Sequence, residues 1–94
     1  MKELKDLNDI EETILMACCD ACDFGLSAHV PKGEIQKRAK LKNPKYFKKG
    51  FRTLLTNGFI REHPTRKNRT YQLNQKGLDG GRILHQKILD SLNN

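Results

Sequence analysis

Apolar residues recur along this chain first at helical and later at alternating spacing, and the change of period marks out its elements. Ile10, Ile14, Ala17, Cys18 and Ala21 follow one another at three- and four-residue steps and predict a helix over about Asn8–Ala21. Asn8 or Asp6 can cap it, and Asp9, Glu11 and Glu12 suit the positive end of its dipole. Phe24-Gly25-Leu26-Ser27 reads as its exit. A second helix starts near Pro31 or Lys32 and ends around Lys40, with Ile35 and Ala39 as a short apolar stripe. Leu41-Lys42-Asn43-Pro44 is a tight turn, with Asn43 as a cap and Pro44 where a helix needs no backbone donor. The third helix runs from Pro44 to about Asn57, buries Phe47, Phe51, Leu54 and Leu55, and stops at Gly58.

Beyond Gly58 the pattern alternates. Phe59–His63 and Arg69–Leu73 read as a hairpin joined by the polar turn formers Pro64–Asn68. Gly77, Gly80 and Gly81 are expected to loosen the chain before a last helix over about Arg82–Leu92, lined by Ile83, Leu84, Ile88, Leu89 and Leu92. This order predicts one domain of α+β class, mainly α, over residues 1–94, with no repeat and no linker. Gly50, inside the third helix, costs about 1 kcal/mol relative to Ala. A close approach by another backbone, or a kink, would account for it.

Charge sharpens the picture. The chain carries a net +7, but residues 1–29 hold two basic against seven acidic residues, while residues 30–76 hold fourteen basic against Glu34 and Glu62. A surface shaped only for solubility mixes the two signs, so this segregation points to a polyanion facing the middle of the chain. No run of apolar residues is long enough to span a bilayer, and Met1–Asp6 contain no apolar signal core. The expected location is therefore cytoplasmic, with no membrane partner.

Helix, helix, tight turn, helix and hairpin is the order of a winged helix-turn-helix domain, and details agree. Leu54-Leu55-Thr56-Asn57-Gly58-Phe59-Ile60-Arg61 resembles a recognition helix running into its first wing strand. Arg69–Gly77 resembles the returning strand and the polar turn after it. The resemblance covers about residues 10–77 and extends to a terminal helix like those of small prokaryotic or archaeal-type regulators. It implies double-stranded DNA as partner and transcriptional control as role, repression more than activation. The superfamily also includes replication proteins and members that bind only proteins. A short strand around Ala28-His29-Val30, pairing with the wing, is a further implication of the resemblance.

On the third helix Lys45, Lys48, Lys49 and Arg52 share one face, opposite Phe47, Phe51 and Leu54, with Tyr46 and Thr53 at its flanks. A helix entering the major groove needs this division; lysine serves phosphate, and arginine can grip a guanine edge. Arg66, Lys67 and Arg69 place cations on the wing for the minor groove or its phosphates, although Arg69 can instead pair with Glu62. Lys32, Lys37, Arg38 and Lys40 on the second helix are expected to add backbone contacts. The alternatives are a solvated basic face, a protein-interaction adaptor, or a nucleic-acid protein with little sequence preference. An adaptor interface is normally poor in lysine.

Cys18, Cys19 and Cys22 crowd on one predicted helix. Core packing is the reading taken over thiol sensing or a metal site with His29, because structural zinc joins ligand pairs from separate elements. His29, His63 and His85 are scattered along the sequence. No catalytic constellation, phosphate loop or cofactor motif is found, so neither enzyme activity nor a cofactor is expected. The apolar terminal helices predict a homodimer; the alternative is a monomer whose last helix folds back on its first.

Overall fold

Asn8 sets where the first helix begins. Its side-chain oxygen accepts from the Glu11 N–H at 2.8 Å, and Glu11 accepts from the Asn8 N–H at 3.0 Å, so each satisfies a donor the helix leaves unpaired. Asp6 instead accepts from the Glu3 N–H and closes a 3-10 turn over Leu4–Asp6. In the computed structural model, which describes residues 1–93, α1 spans Asp9–Ala21, β1 Val30–Pro31, α2 Lys32–Ala39 and α3 Pro44–Thr56. There follow β2 (Ile60–Pro64), β3 (Arg69–Leu73) and α4 (Gln75–Leu92). The fold is α+β and mainly helical, as the periodicity predicts.

Helix α1 lies against α2, α3 and α4, and Ile14, Leu15, Cys18 and Cys19 are its fully buried residues. They meet Ile35 of α2, Phe47, Phe51 and Leu54 of α3, and Phe59, Ile60 and Leu73 from the hairpin in one core. Asn43 caps α3 by accepting from the Lys45 N–H at 2.9 Å, and Gly58 takes a positive φ of 77° just past its end. Leu55, expected on the buried face, is only half-buried.

The sheet has the order β1-β3-β2, antiparallel throughout, with Ile60 opposite Leu73 and Pro64 opposite Arg69. Strand β2 is shifted one residue from the expected Phe59–His63, because the Phe59 N–H still donates to the Leu54 carbonyl at the end of α3, at 3.0 Å. The short strand implied around Ala28–Val30 exists but lies at Val30–Pro31, opposite Tyr71 and Thr70. Proline is tolerated there because β1 is an edge strand. Central β3 is buried on both faces: Tyr71 packs edge-on against Phe51 at 4.8 Å, while Gln72 on the other face donates to the carbonyls of Leu26 and Ser27. The long link between α1 and α2 thus covers the outside of the sheet. It turns through Asp23 and Phe24, whose φ of 51° and 52° are left-handed.

The largest departure concerns α4, which begins at Gln75 and not at Arg82. Gly77, Gly80 and Gly81 do not loosen the chain; they lie buried inside the helix. A Cβ on Gly77 would collide with the carbonyl of Phe59, and one on Gly81 with the sulfur of Cys19. Glycine's low helix propensity is outweighed by the close packing it permits. The turn seen in Asn74–Gly77 is accordingly the cap and first turn of α4. Gly50 answers to a similar need, but its neighbour is a side chain and not a backbone: a Cβ there would stand 2.5 Å from Cδ1 of Ile14. Gly77→Ala is expected to destabilise the fold by about 2–3 kcal/mol, because a backbone carbonyl cannot move aside. Gly33→Ala, with nothing within 4 Å of the added carbon, should stabilise by roughly 0.5–1 kcal/mol. Urea denaturation of the two variants checks both signs.

Candidate nucleic-acid interface

Helix α3 divides its circumference between core and solvent. At about 3.6 residues per turn, Lys45, Lys48, Lys49 and Arg52 share one flank and Phe47, Gly50, Phe51 and Leu54 the other. The structure buries the second set and exposes the first. Thr56 continues the exposed stripe one turn past Arg52, a position readable from the same four-residue step but overlooked in the sequence. Tyr46 is 55% exposed at the edge of this flank. Thr53 is half-buried, and its hydroxyl donates to the Lys49 carbonyl at 3.2 Å, leaving only its lone pairs for another partner.

The hairpin ends in a four-residue turn. The Thr65 N–H and hydroxyl both donate to the Asn68 carbonyl, at 2.9 and 2.7 Å, and the Asn68 N–H donates back to the Thr65 hydroxyl. Arg66 and Lys67 are thereby held at the exposed tip. Arg69 stands at the strand edge with a guanidinium nitrogen 3.7 Å from Glu62, a solvent-exposed pair of little energetic weight.

The second helix differs from expectation. Arg38 does not reach outward as a backbone contact: it is bound to Asp20 of α1 at 2.6 Å and to Glu34 at 3.0 Å. The hydrogen bond to Asp20, then that to Glu34, raises its pKa still further. Lys32 lies half-buried with its ammonium 5.1 Å over the Phe51 ring, a cation–π contact at the junction of α2 and α3. Lys37 and Lys40 remain exposed, and Lys40 takes the left-handed conformation that ends α2. Among the described residues, Lys45, Lys48, Lys49, Arg52, Arg66 and Lys67 have no carboxylate in ion-pair range.

Two of the scattered histidines come together. His29, next to β1, and His63, on β2, stack with ring centroids 4.3 Å apart across β3. A separation of thirty-four residues gives no periodic signal for such a pair. His29 therefore lies against another imidazole and not beside the thiols. Cys18, Cys19 and Cys22 are all buried in the core. Cys18 donates to Cys22, and this bond together with burial pushes the Cys18 thiol far up. Burial, then Cys22, pushes Cys19 up to about 12, while the bond from Cys18 lowers Cys22.

No protein-family model matches this chain, and no curated protein sequence matches it. Solved structures do. The Rio2 kinase–ADP/Mg2+–phosphoaspartate complex from Chaetomium thermophilum contains a region that superposes with a TM-score of 0.75 over 90% of this chain at 22% identity. The chain spans 25% of that kinase's length. F-93 of SSV1 superposes with a TM-score of 0.66 at 17% identity, over 88% of this chain and 90% of its own. The fold is a winged helix-turn-helix. At these identities the likeness is one of architecture. In the winged-helix frame α3 is the third helix and β2–β3 the wing. Of the basic residues singled out in the sequence, Lys45, Lys48, Lys49, Arg52, Arg66, Lys67 and Arg69 sit on those two elements, Lys32 at the start of α2, and Lys37, Arg38 and Lys40 at its end. Among the described residues no helix is long and apolar enough to cross a membrane.

The thiols yield a pH expectation. Folded Cys19 keeps its proton up to about 12, whereas its ordinary value is 9.0. The unfolded chain therefore releases a proton that the folded chain retains, and folding stability should fall as pH rises from 9 towards 12. Urea melts across that range should show this loss, with a shallower slope in Cys19→Ala. An equal slope in the variant would remove the assignment.

Proposed function

We propose that this chain is a sequence-specific double-stranded DNA-binding protein, a transcriptional regulator and not an enzyme. Helix α3 enters the major groove, and the wing meets the minor groove or its phosphates. The observation that carries the reading is the set of six cations on α3 and the hairpin tip that the protein leaves without carboxylate partners. Among the described residues Arg38 and Lys2 are paired, with Asp20 and Glu11, whereas Lys37, Lys40 and Arg61 are not. What sets the six apart is that they cluster on two elements, residues 44–56 and 65–68, that contain no acidic residue. In this assignment Lys45, Lys48 and Lys49 meet phosphates, Arg52 reads a base edge, and Tyr46 and Thr53 flank the contact. Arg66, Lys67 and Arg69 follow the adjacent groove, and Lys32 adds a contact from the start of α2. Bound at a promoter, such a protein excludes polymerase, so repression is the mode proposed.

The protein is also proposed to act as a homodimer. Helix α4 leaves the core after Leu84, and beyond it Ile88, Leu89 and Leu92, 40–75% exposed, fall on one side of the helix, an apolar ridge that a second copy would cover. Two recognition helices would then address half-sites about one helical turn apart.

Fluorescence anisotropy with a duplex selected from a random pool tests the first reading. Neutralising six phosphates should cost roughly 10³-fold in affinity between 50 and 200 mM salt. Lys48→Ala, Lys49→Ala and Arg52→Ala together should lower the salt slope by about 2, for the two lysine–phosphate contacts, and relax sequence preference through the loss of Arg52. Binding untouched by the triple change would remove α3 from the interface. Light scattering at micromolar concentration should give twice the chain mass, falling to the single mass in Leu89→Glu with Leu92→Glu.

A further inference from the structure

Among the described residues, the hydrogen bonds that tie α3 to distant parts of the chain all meet at Asn57, the residue that ends it. Its carbonyl accepts from the Lys76 ammonium at 2.9 Å, and its side-chain oxygen accepts from the Lys2 N–H at 2.8 Å. Its side-chain amide donates back to the Thr53 carbonyl at 2.8 Å. Lys76 also donates to the Lys2 carbonyl at 2.5 Å and to Glu3 at 3.3 Å, and its ammonium stands 4.5 Å over the Phe59 ring. One cation from α4 thus joins the segment before α1, the negative end of α3 and the first residue of the hairpin's approach.

The remaining hold on α3 is the packing of Phe47, Gly50, Phe51 and Leu54, with the Lys32 ammonium over the Phe51 ring. Such packing fixes how near the helix lies, but the burial that drives it is non-directional. Directed hydrogen bonds supply what it lacks. At a helix radius of about 5–6 Å, a rotation of roughly 15° displaces a side-chain base by about 1.4 Å. That is enough to spoil a bidentate base contact while leaving a phosphate contact usable.

We infer that Lys76, acting through Asn57, is a positioning residue that sets the rotation of α3, and with it the register of Lys48, Lys49 and Arg52 on DNA. The inference rests on the DNA-binding reading above for its functional half only. Lys76→Met keeps the stem and removes the ammonium. It should weaken binding to the selected duplex about tenfold, the scale of one lost base contact, and change binding to random duplex less than twofold. The salt slope should stay as it is, whereas loss of a phosphate contact would lower it by about 1. Lys76→Arg should restore the preference, and Asn57→Ala, which keeps the carbonyl that Lys76 binds and removes only the side-chain bonds to Lys2 and Thr53, should retain most of it. An equal loss on both duplexes, no loss on either, or a lowered slope overturns the inference. Residual dipolar couplings of the free protein read the orientation of α3 without DNA. They should differ between wild type and Lys76→Met. An unchanged orientation overturns the positioning role, whereas failure of the wild type to bind any duplex overturns the DNA reading alone.

Discussion

At Gly50 and Gly81 the backbones of α3 and α4 come so near to α1 that the side chains of Ile14 and Cys19 occupy the space a Cβ would need. This close approach governs the rest. It lets a chain of 94 residues wrap three helices around one, and gives Ile14, Leu15, Cys18 and Cys19 neighbours on every side. Dispersion falls steeply with separation, so contacts made at this distance offset the conformational cost of placing glycine within helices. The hairpin then has a fixed base, because Phe59 and Leu73 enter the core that these helices define.

Electrostatics divides the molecule in a complementary way. The carboxylates near the core are used: Glu11 is buried as half of a capping box and faces the Lys2 ammonium at 3.3 Å. Asp20 and Glu34 hold Arg38. On the exposed flank of α3 and at the hairpin tip, like charges stand close together with nothing to offset them. That arrangement costs self-repulsion in the free protein and gains when an anionic surface arrives. The DNA-binding proposal takes its support from this contrast and from the winged-helix frame that holds the two elements.

Much of the fold was legible because it is written in local rules. Asn43 before Pro44, Gly58 after the third helix and the change from helical to alternating period each act over a few residues, and the structure follows them. Gly77, Gly80 and Gly81 were misleading for the same reason: local propensity reads three glycines as a break, and only the positions of Phe59 and Cys19 in space explain why a helix runs through them. The Arg38–Asp20 pair, the His29–His63 stack and the Lys76–Asn57 bond join residues eighteen to thirty-four positions apart and leave no periodic trace. The candidate interface was legible in its charge and spacing, whereas which cations the fold would neutralise was not.

The double burial of β3 has a mechanical corollary. A strand gripped by Phe51 on one side and by the Leu26–Ser27 link on the other cannot swing as a flap, so the hairpin is stiff up to Pro64 and Arg69. Adaptation to a ligand's contour is confined to four residues at the end of a rigid stalk. The entropy lost on docking is correspondingly that of a few side chains and not of a whole loop, which favours tight association from a small footprint.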